Sequence, residues 1–262
     1  MTMPRDVQSM AGSYLAFANE MADTVGPLAR SYFRTPLDII SKLDESPVTV
    51  ADRTIELKLR ELITARFPEH GIIGEEMGPK AGDDLTWVVD PIDGTKSFIT
   101  GFPLFGTLIA LVHRDRPFCG LIDIPATGER WAALPGATQF NGKQSRTSGC
   151  EALQDARFYT TSPDMFTGAQ KEPFERLSRA AKIRRFGGDC YIYGLLASGH
   201  IDLILETGLS LYDYMALVPV VIGAGGCITD WDGKELTLHS KGGVLASATA
   251  ELHRQALETL NL

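Results

Sequence analysis

No apolar run in this 262-residue chain reaches the length of a bilayer-spanning helix, so no membrane partner is expected. Nor does the amino terminus join a basic segment to an apolar core, so no secretory signal is expected. Cysteine is sparse. Cys119, Cys150, Cys190 and Cys227 are scattered without a Cys-x-x-Cys pair, which points to reduced, mostly buried thiols in a cytoplasmic protein. The five histidines (His70, His113, His200, His239 and His253) show neither His-x-x-His nor His-x-x-x-His spacing, which disfavours zinc. Positive charge is in deficit, with 25 Lys and Arg against 33 Asp and Glu and a net charge of −8. That balance, with no basic patch interleaved with aromatics, argues against a nucleic-acid partner. There is no internal repeat and no low-complexity segment.

What remains is ordinary globular composition, 44% hydrophobic and 22% charged, in a chain long enough for one large domain or two lobes. Within it, one stretch organises the rest. An apolar strand, Trp87 to Val89, ends abruptly in Asp90-Pro91-Ile92-Asp93-Gly94-Thr95. Pro91 fixes φ and Gly94 opens conformations closed to other residues, so a tight turn is predicted after the strand. Such a turn can aim Asp90 and Asp93 at one point. Two carboxylates at the end of a buried strand repel unless protonated, hydrogen-bonded or bound to cations. The amides of Gly94 to Ser97 could meet an anion if a helix starts there. Together these suggest metal-assisted phosphoryl chemistry, although Asp-Gly is also common turn chemistry.

In chain order, Val7, Met10, Ala11, Tyr14, Ala18, Met21 and Val25 predict a helix stopped by Gly26-Pro27. Ile55, Leu59, Leu62, Ile63 and Arg66 predict a second helix, with Asp52 placed as its N-cap. Spacing alone assigns no function to Lys42, Thr49 or Asp52. His70 to Glu76 reads as a short strand ending in paired acids. The loop from Met77 to Asp84 contains Gly78 and Gly82, which permit mobility. Strands are predicted at Phe105–Val112, Phe118–Ile124 and Glu129–Ala133, with turns at Arg114–Pro117 and Gln139–Gly142. Lys143 to Gln154 is polar, and a lobe boundary is placed there, between residues 145 and 146. Beyond it, strands (157–161, 182–186, 201–206, 227–231, 243–248) alternate with helices (166–181, 190–198, 212–224 despite Pro219, and one around Leu252–Leu260), which predicts an α/β lobe. Asp213 opens an apolar helix, where capping would explain it. Glu206 closes a buried strand, where a cleft in an open sheet is expected. With histidine absent from these motifs, all-oxygen ligation of Mg²⁺ or Mn²⁺ fits best.

Read together, Gly74-Glu75-Glu76, Trp87 to Thr95, Tyr212-Asp213 and Gly225-Gly226, with Lys42 and Ser46 to Asp52 upstream, resemble the inositol monophosphatase family. The likeness covers nearly the whole chain. Asp93 to Phe98, Ile122 to Pro125 with Glu129-Arg130-Trp131, Gly187 to Tyr191, and Leu211-Tyr212-Asp213 are similar to its histidinol-phosphatase branch. The resemblance implies an α/β fold, the layered αβαβα sandwich of the sugar-phosphatase type, with an α+β lobe over residues 1–145 and an α/β lobe over 146–262, commonly as a homodimer. It implies two or three Mg²⁺ ions: one held by Glu75, Asp90 and the Ile92 carbonyl, a second by Asp90, Asp93 and Asp213. Gly94 and Thr95 would bind the phosphate, and Asp189 and Glu206 would face the alcohol. Glu75, with Thr95 and Asp52, would orient and deprotonate an attacking water.

The substrate expected on this basis is a small phosphate monoester, histidinol phosphate ahead of inositol 1-phosphate or another sugar or nucleotide monophosphate. The ammonium and imidazole of histidinol phosphate could pair with Asp189 and Glu206. Asp189 after Gly187-Gly188 equally suits a helix cap. A metal-binding regulatory homologue without catalysis is the contrasting reading, and the presence of Glu75, Asp90, Asp93 and Asp213 disfavours it.

Overall fold

The structure, a computed structural model, describes residues 5–36, 40–41 and 47–262. Lys42 and Ser46 lie outside the described residues. Helix α1 (Arg5–Tyr32) leads to a short antiparallel pair, β1 (Ile40–Ser41) and β2 (Pro47–Val48), and then to α2 (Val50–Arg66). A seven-stranded sheet follows in the order β3 (Gly71–Gly74), β4 (Leu85–Asp93), β5 (Gly106–His113), β6 (Arg116–Ile124), β7 (Glu129–Leu134), β8 (Ala137–Phe140) and β9 (Lys143–Ser145). β3 and β4 are parallel, and every later pair is an antiparallel meander. Helix α3 (Thr95–Ile99) interrupts the sheet after β4.

The second sheet draws on β10 (Arg157–Thr160), β11 (Ile183–Phe186), β12 (Leu203–Glu206), β13 (Cys227–Thr229) and β14 (Val244–Ser247), in the spatial order β11-β10-β12-β14-β13. Between these strands run α4 (Lys171–Ala180), α5 (Tyr191–Ala197), α6 (Leu211–Tyr214) and α7 (Leu217–Gly223), and α8 (Ala250–Leu260) ends the chain's described elements. Three apolar clusters define the layers. Phe17, Met21 and Val25 of α1 and Ile55 and Leu59 of α2 pack on one face of the first sheet through Trp87, Ile109 and Leu121. The other face, through Val88, Leu108, Ile122 and Trp131, meets Tyr193 of α5 and Val220 of α7, which also touch Ile204 and Ala246 of the second sheet. Phe174 of α4 and Leu252 of α8 cover the far side of that sheet. This is the expected αβαβα order.

Local departures from the sequence expectations have identifiable causes. Helix α1 runs on through Pro27 to Tyr32, because burial of Val25 and Ala29 and packing of Leu28 and Tyr32 outweigh the one hydrogen bond that proline cannot make. The N-cap of α2 is Thr49, not Asp52. Asp52 is the third residue of a capping box, its Oδ2 accepting from Thr49 N (2.8 Å) and Thr49 Oγ1 (2.6 Å). The predicted helix 166–181 begins only at Lys171, which places Pro173 in the first turn, where its missing N–H costs nothing. The predicted helix 212–224 is divided into α6 and α7, since Pro219 cannot donate to the Met215 carbonyl. The break lies against β6 at Gly120, where any Cβ would overlap the Ala216 carbonyl oxygen and the Pro219 ring. Gln139 and Phe140, expected in a turn, close β8, and Asn141-Gly142 alone turns the chain into β9.

His253 of α8 is buried between Ser247 Oγ (3.0 Å) and Thr229 Oγ1 (2.9 Å), and burial lowers its pKa to about 4. The folded state therefore binds fewer protons than the unfolded chain between pH 4 and 6.5, and stability drops as pH falls through that window. Denaturant melts of the protein and of His253→Gln are expected to differ in this slope. The histidine form should lose up to about 3 kcal/mol more between pH 7 and 4. Parallel slopes would show that the ring is not held neutral.

Candidate active site

Pairing of β4 with β5 passes from Asp90–Leu108 to Asp93–Gly106, so one extra residue bulges from β4. Pro91 and Ile92 occupy the bulge. The Pro91 carbonyl accepts from Thr107 Oγ1 (2.9 Å), and Ile92 N donates to Asp90 Oδ1 (3.0 Å). Gly94 then takes φ +79°, a left-handed turn cheap only for glycine, and α3 starts at Thr95. A Cβ at Gly94 would stand 2.9 Å from Asp189 Cγ. The first helical bond of α3 is Phe98 N to Gly94 O (2.9 Å), so the amides of Thr95 to Ser97 precede the helical ladder. Thr95 Oγ1 donates to the Ile92 carbonyl (3.2 Å).

Asp213 arrives from the second half of the chain as the third residue of a capping box, its Oδ2 accepting from Ser210 N (2.7 Å). Capping is therefore real at this position, and it uses one oxygen. Ligand oxygens of Asp90, Asp93 and Asp213 lie within 4.8 Å of one another, with Asp90 buried and the other two partly open to the cleft. Among the described residues this is the one group of three or more His, Cys, Asp or Glu side chains so arranged. Glu75 follows β3, whose Gly74 pairs with Val89, so it emerges beside Asp90. It is not part of the 4.8 Å group, but its charge and hydrogen bonding act on Asp90.

Burial, reinforced by the charges of Glu75, Asp93 and Asp213, pushes Asp90 well above the usual carboxylate range. Asp93 is raised likewise by burial, then by Asp189 and Asp213, although Cys190 N donates to its Oδ2 (2.7 Å). Asp213 is raised to about 7, chiefly by burial, with Glu75 adding to it. So crowded a set is stable either protonated or facing cations. Its donors are all oxygens, with no imidazole in the group, which fits a hard divalent ion.

Asp189 and Glu206 line the same cleft, whereas Asp52 stays on α2 near Glu75. Asp189, at φ +46°, does not cap α5. Its Oδ2 accepts from Ser97 Oγ (2.6 Å), locking α3 to the second half of the chain. Glu206 is 2% exposed, with Oε1 accepting from Thr161 N (2.9 Å) and Oε2 from Tyr193 Oη (2.9 Å), and burial lifts it to about 7. Asp93, Asp189, Cys190, Tyr193, Glu206 and Asp213 line one cavity of about 160 Å³. Asp52 stands near enough to Glu75 for that charge to raise its pKa, after burial and against the bonds from Thr49. Asp52 Oδ1 is buried without a partner. The loop with Gly78 and Gly82 is tied down where Lys80 and Ile72 exchange backbone hydrogen bonds of 2.8 and 2.9 Å.

Residues 11–261 match the model of the inositol monophosphatase family. The chain belongs to that family. It is 45% identical over 258 residues to the chloroplastic bifunctional phosphatase IMPL2 of Arabidopsis thaliana, covering 94% of this chain and 75% of that protein. It is 37% identical over 250 residues to the histidinol-phosphatase of Chlorobaculum parvum, covering 94% of this chain and 96% of the relative. A solved inositol monophosphatase from Zymomonas mobilis superposes with a TM-score of 0.88 at 42% identity, covering 96% of this chain and 98% of that one. Family membership makes the chain a phosphatase of this type, and the acidic cluster is where the family's metal dependence has its counterpart.

Sequence reasoning missed the side-chain role of Ser97, and missed Thr161 and Tyr193 altogether, since their partners come from distant elements and carry no local signal. It also missed Glu56. There a signal existed: an acid on the apolar stripe of α2, between Ile55 and Leu59 and four residues from both Asp52 and Arg60.

Proposed function

We propose that the protein is a Mg²⁺-dependent phosphomonoesterase that hydrolyses L-histidinol phosphate to L-histidinol and phosphate by direct attack of water. The observation carrying this reading is the approach of three carboxylates to within 4.8 Å beside the first turn of α3. Cation donors and anion-binding amides share one cleft. Glu75, Asp90, Asp93, Asp213 and the Ile92 carbonyl are the groups that would hold Mg²⁺. When bound, the ions supply neutralisation of the phosphate charge and acidification of a water. Gly94 and Thr95 present their backbone N–H groups to the phosphate oxygens. Glu75, with Thr95 and the buried Asp52, orients that water and takes its proton. Burial and the Asp93 charge hold the Cys190 thiol well above its usual pKa, so it stays protonated and is a poor nucleophile.

For the substrate, Asp189 is the discriminating group. It faces the cleft beside Gly94 and can pair with the ammonium of histidinol phosphate. The Glu206 oxygens already accept from Thr161 and Tyr193, so Glu206 contributes negative potential more than a new ion pair. A bifunctional phosphatase and a histidinol-phosphatase among the relatives support this reading. The likeness to the Zymomonas enzyme keeps inositol 1-phosphate as the competing substrate. A panel of phosphate monoesters decides it. Phosphate release is expected with Mg²⁺ and not with EDTA, and kcat/KM is expected to favour histidinol phosphate about tenfold or more. A preference for inositol 1-phosphate would reverse the assignment.

A further inference from the structure

We propose that Glu56 and Arg60 of α2 are positioning residues that hold the peptide segment after Glu75 and so fix that carboxylate for cation binding. The proposal rests on the phosphatase reading only in giving Glu75 a cation to hold. Glu56 is fully buried, and its two oxygens are spent on the backbone just beyond Glu75. Oε2 accepts from Glu76 N (2.6 Å), and Oε1 accepts from Met77 N (3.1 Å) and Arg60 Nε (2.7 Å). Arg60 Nη2 in turn donates to the Met77 carbonyl (2.9 Å). Met77 is thus gripped at both its N–H and its C=O by one i,i+4 pair.

The contact extends to the residue before Glu75. A Cβ at Gly74 would overlap the Glu56 carboxylate, so only glycine lets the acid lie beneath the end of β3. Glu75 is bracketed, with its predecessor packed on Glu56 and its two successors hydrogen-bonded to it. Asp52, one turn earlier on the same stripe, stands near Glu75 as well. Burying an ionised carboxylate is costly unless donors satisfy it, and three charge-assisted bonds do so here. A helix that needed only to pack would place an apolar side chain there. The geometry instead makes α2 a back-plate for the end of β3, removing entropy that Glu75 would otherwise lose on closing around an ion.

The test uses the full chain with Glu56→Gln, which keeps shape but replaces an acceptor oxygen with an NH₂ group. Hydrogen exchange at the Glu76 and Met77 amides is expected to speed up, while amides of β5 stay protected. Calorimetric titration with Mg²⁺ alone is expected to show affinity weakened about ten- to a hundredfold. At saturating Mg²⁺, KM for the ester should stay within about threefold of the parent, since the phosphate-binding amides are untouched. A folded Glu56→Gln protein with parental Mg²⁺ affinity overturns the proposal, however fast its amides exchange. Should that variant not fold, Arg60→Gln carries the test. It leaves Glu56 on both amides and frees the Met77 carbonyl, and parental Mg²⁺ affinity there also overturns the proposal. Because the titration needs no turnover, a wild-type protein inactive on every ester but losing Mg²⁺ affinity in these variants would sink the phosphatase reading and leave this one standing.

Discussion

Asp93→Asn is expected to lower turnover by about a thousandfold while leaving the protein folded. The loss follows from removing one of the three carboxylates that meet within 4.8 Å. Metal neutralisation of a phosphoryl group is worth several kcal/mol, and about 4 kcal/mol corresponds to that factor. The fold is spared because the Asn carbonyl oxygen can still accept from Cys190 N, which donates to Asp93 Oδ2 at 2.7 Å. A second readout has the opposite sign. Burial and neighbouring acids raise the Asp93 pKa, so deleting its charge relieves repulsion in the metal-free protein. Tm without metal should therefore be equal or higher, while the Mg²⁺-induced rise in Tm shrinks. Near-parental turnover with unchanged metal dependence would remove Asp93 from the machinery.

The pH dependence of stability is expected to change sign when the metal is removed. Asp213 and Glu206 titrate at about 7 in the folded chain, and Asp90 and Asp93 are also raised. A raised carboxylate gives stability present at low pH and lost as pH rises through its folded pKa, because the folded state binds the extra proton. In EDTA, Tm should climb as pH falls from 8 to 6.5, each titrating acid contributing up to about 1.4 kcal/mol per pH unit. His253 does not oppose this, since its window lies below 6.5. With saturating Mg²⁺ the ligands Asp90, Asp93 and Asp213 are held ionised and protons compete with the ion, so Tm should fall over the same range even though Glu206, which holds no ion, keeps its own slope. Thermal melts at pH 8 and 6.5, with and without Mg²⁺, give the four values needed. The same slope in both conditions would mean that the acids do not hold the ion.

Much of this was legible from residue order. The acids at Glu75, Asp90, Asp93 and Asp213 stand out because each closes a strand or opens a helix, and turn chemistry at Pro91 and Gly94 marks the bend between two of them. The alternation of strands and helices after residue 157 announced the α/β half. What escaped was whatever depends on tertiary packing. Pro27 reads as a stop, yet α1 continues because its next turn is buried. Asp189 suits a cap and a cleft acid equally in sequence, and only packing reveals that it spends an oxygen on Ser97, a residue of another element. Asp52 was misplaced by three positions because capping boxes put an acid at the third helical residue as readily as at the cap.

The flush seat of the α6–α7 break on β6 has a consequence for the cleft some residues away. Asp213 rides on the same short rod of chain as Ala216 and Pro219, whereas Asp90 and Asp93 belong to the sheet on which that rod rests. A methyl group at position 120 would act as a shim under the rod, prising the jaws of the ion site apart without touching a single acid. The bite of this vice is gauged by a missing side chain.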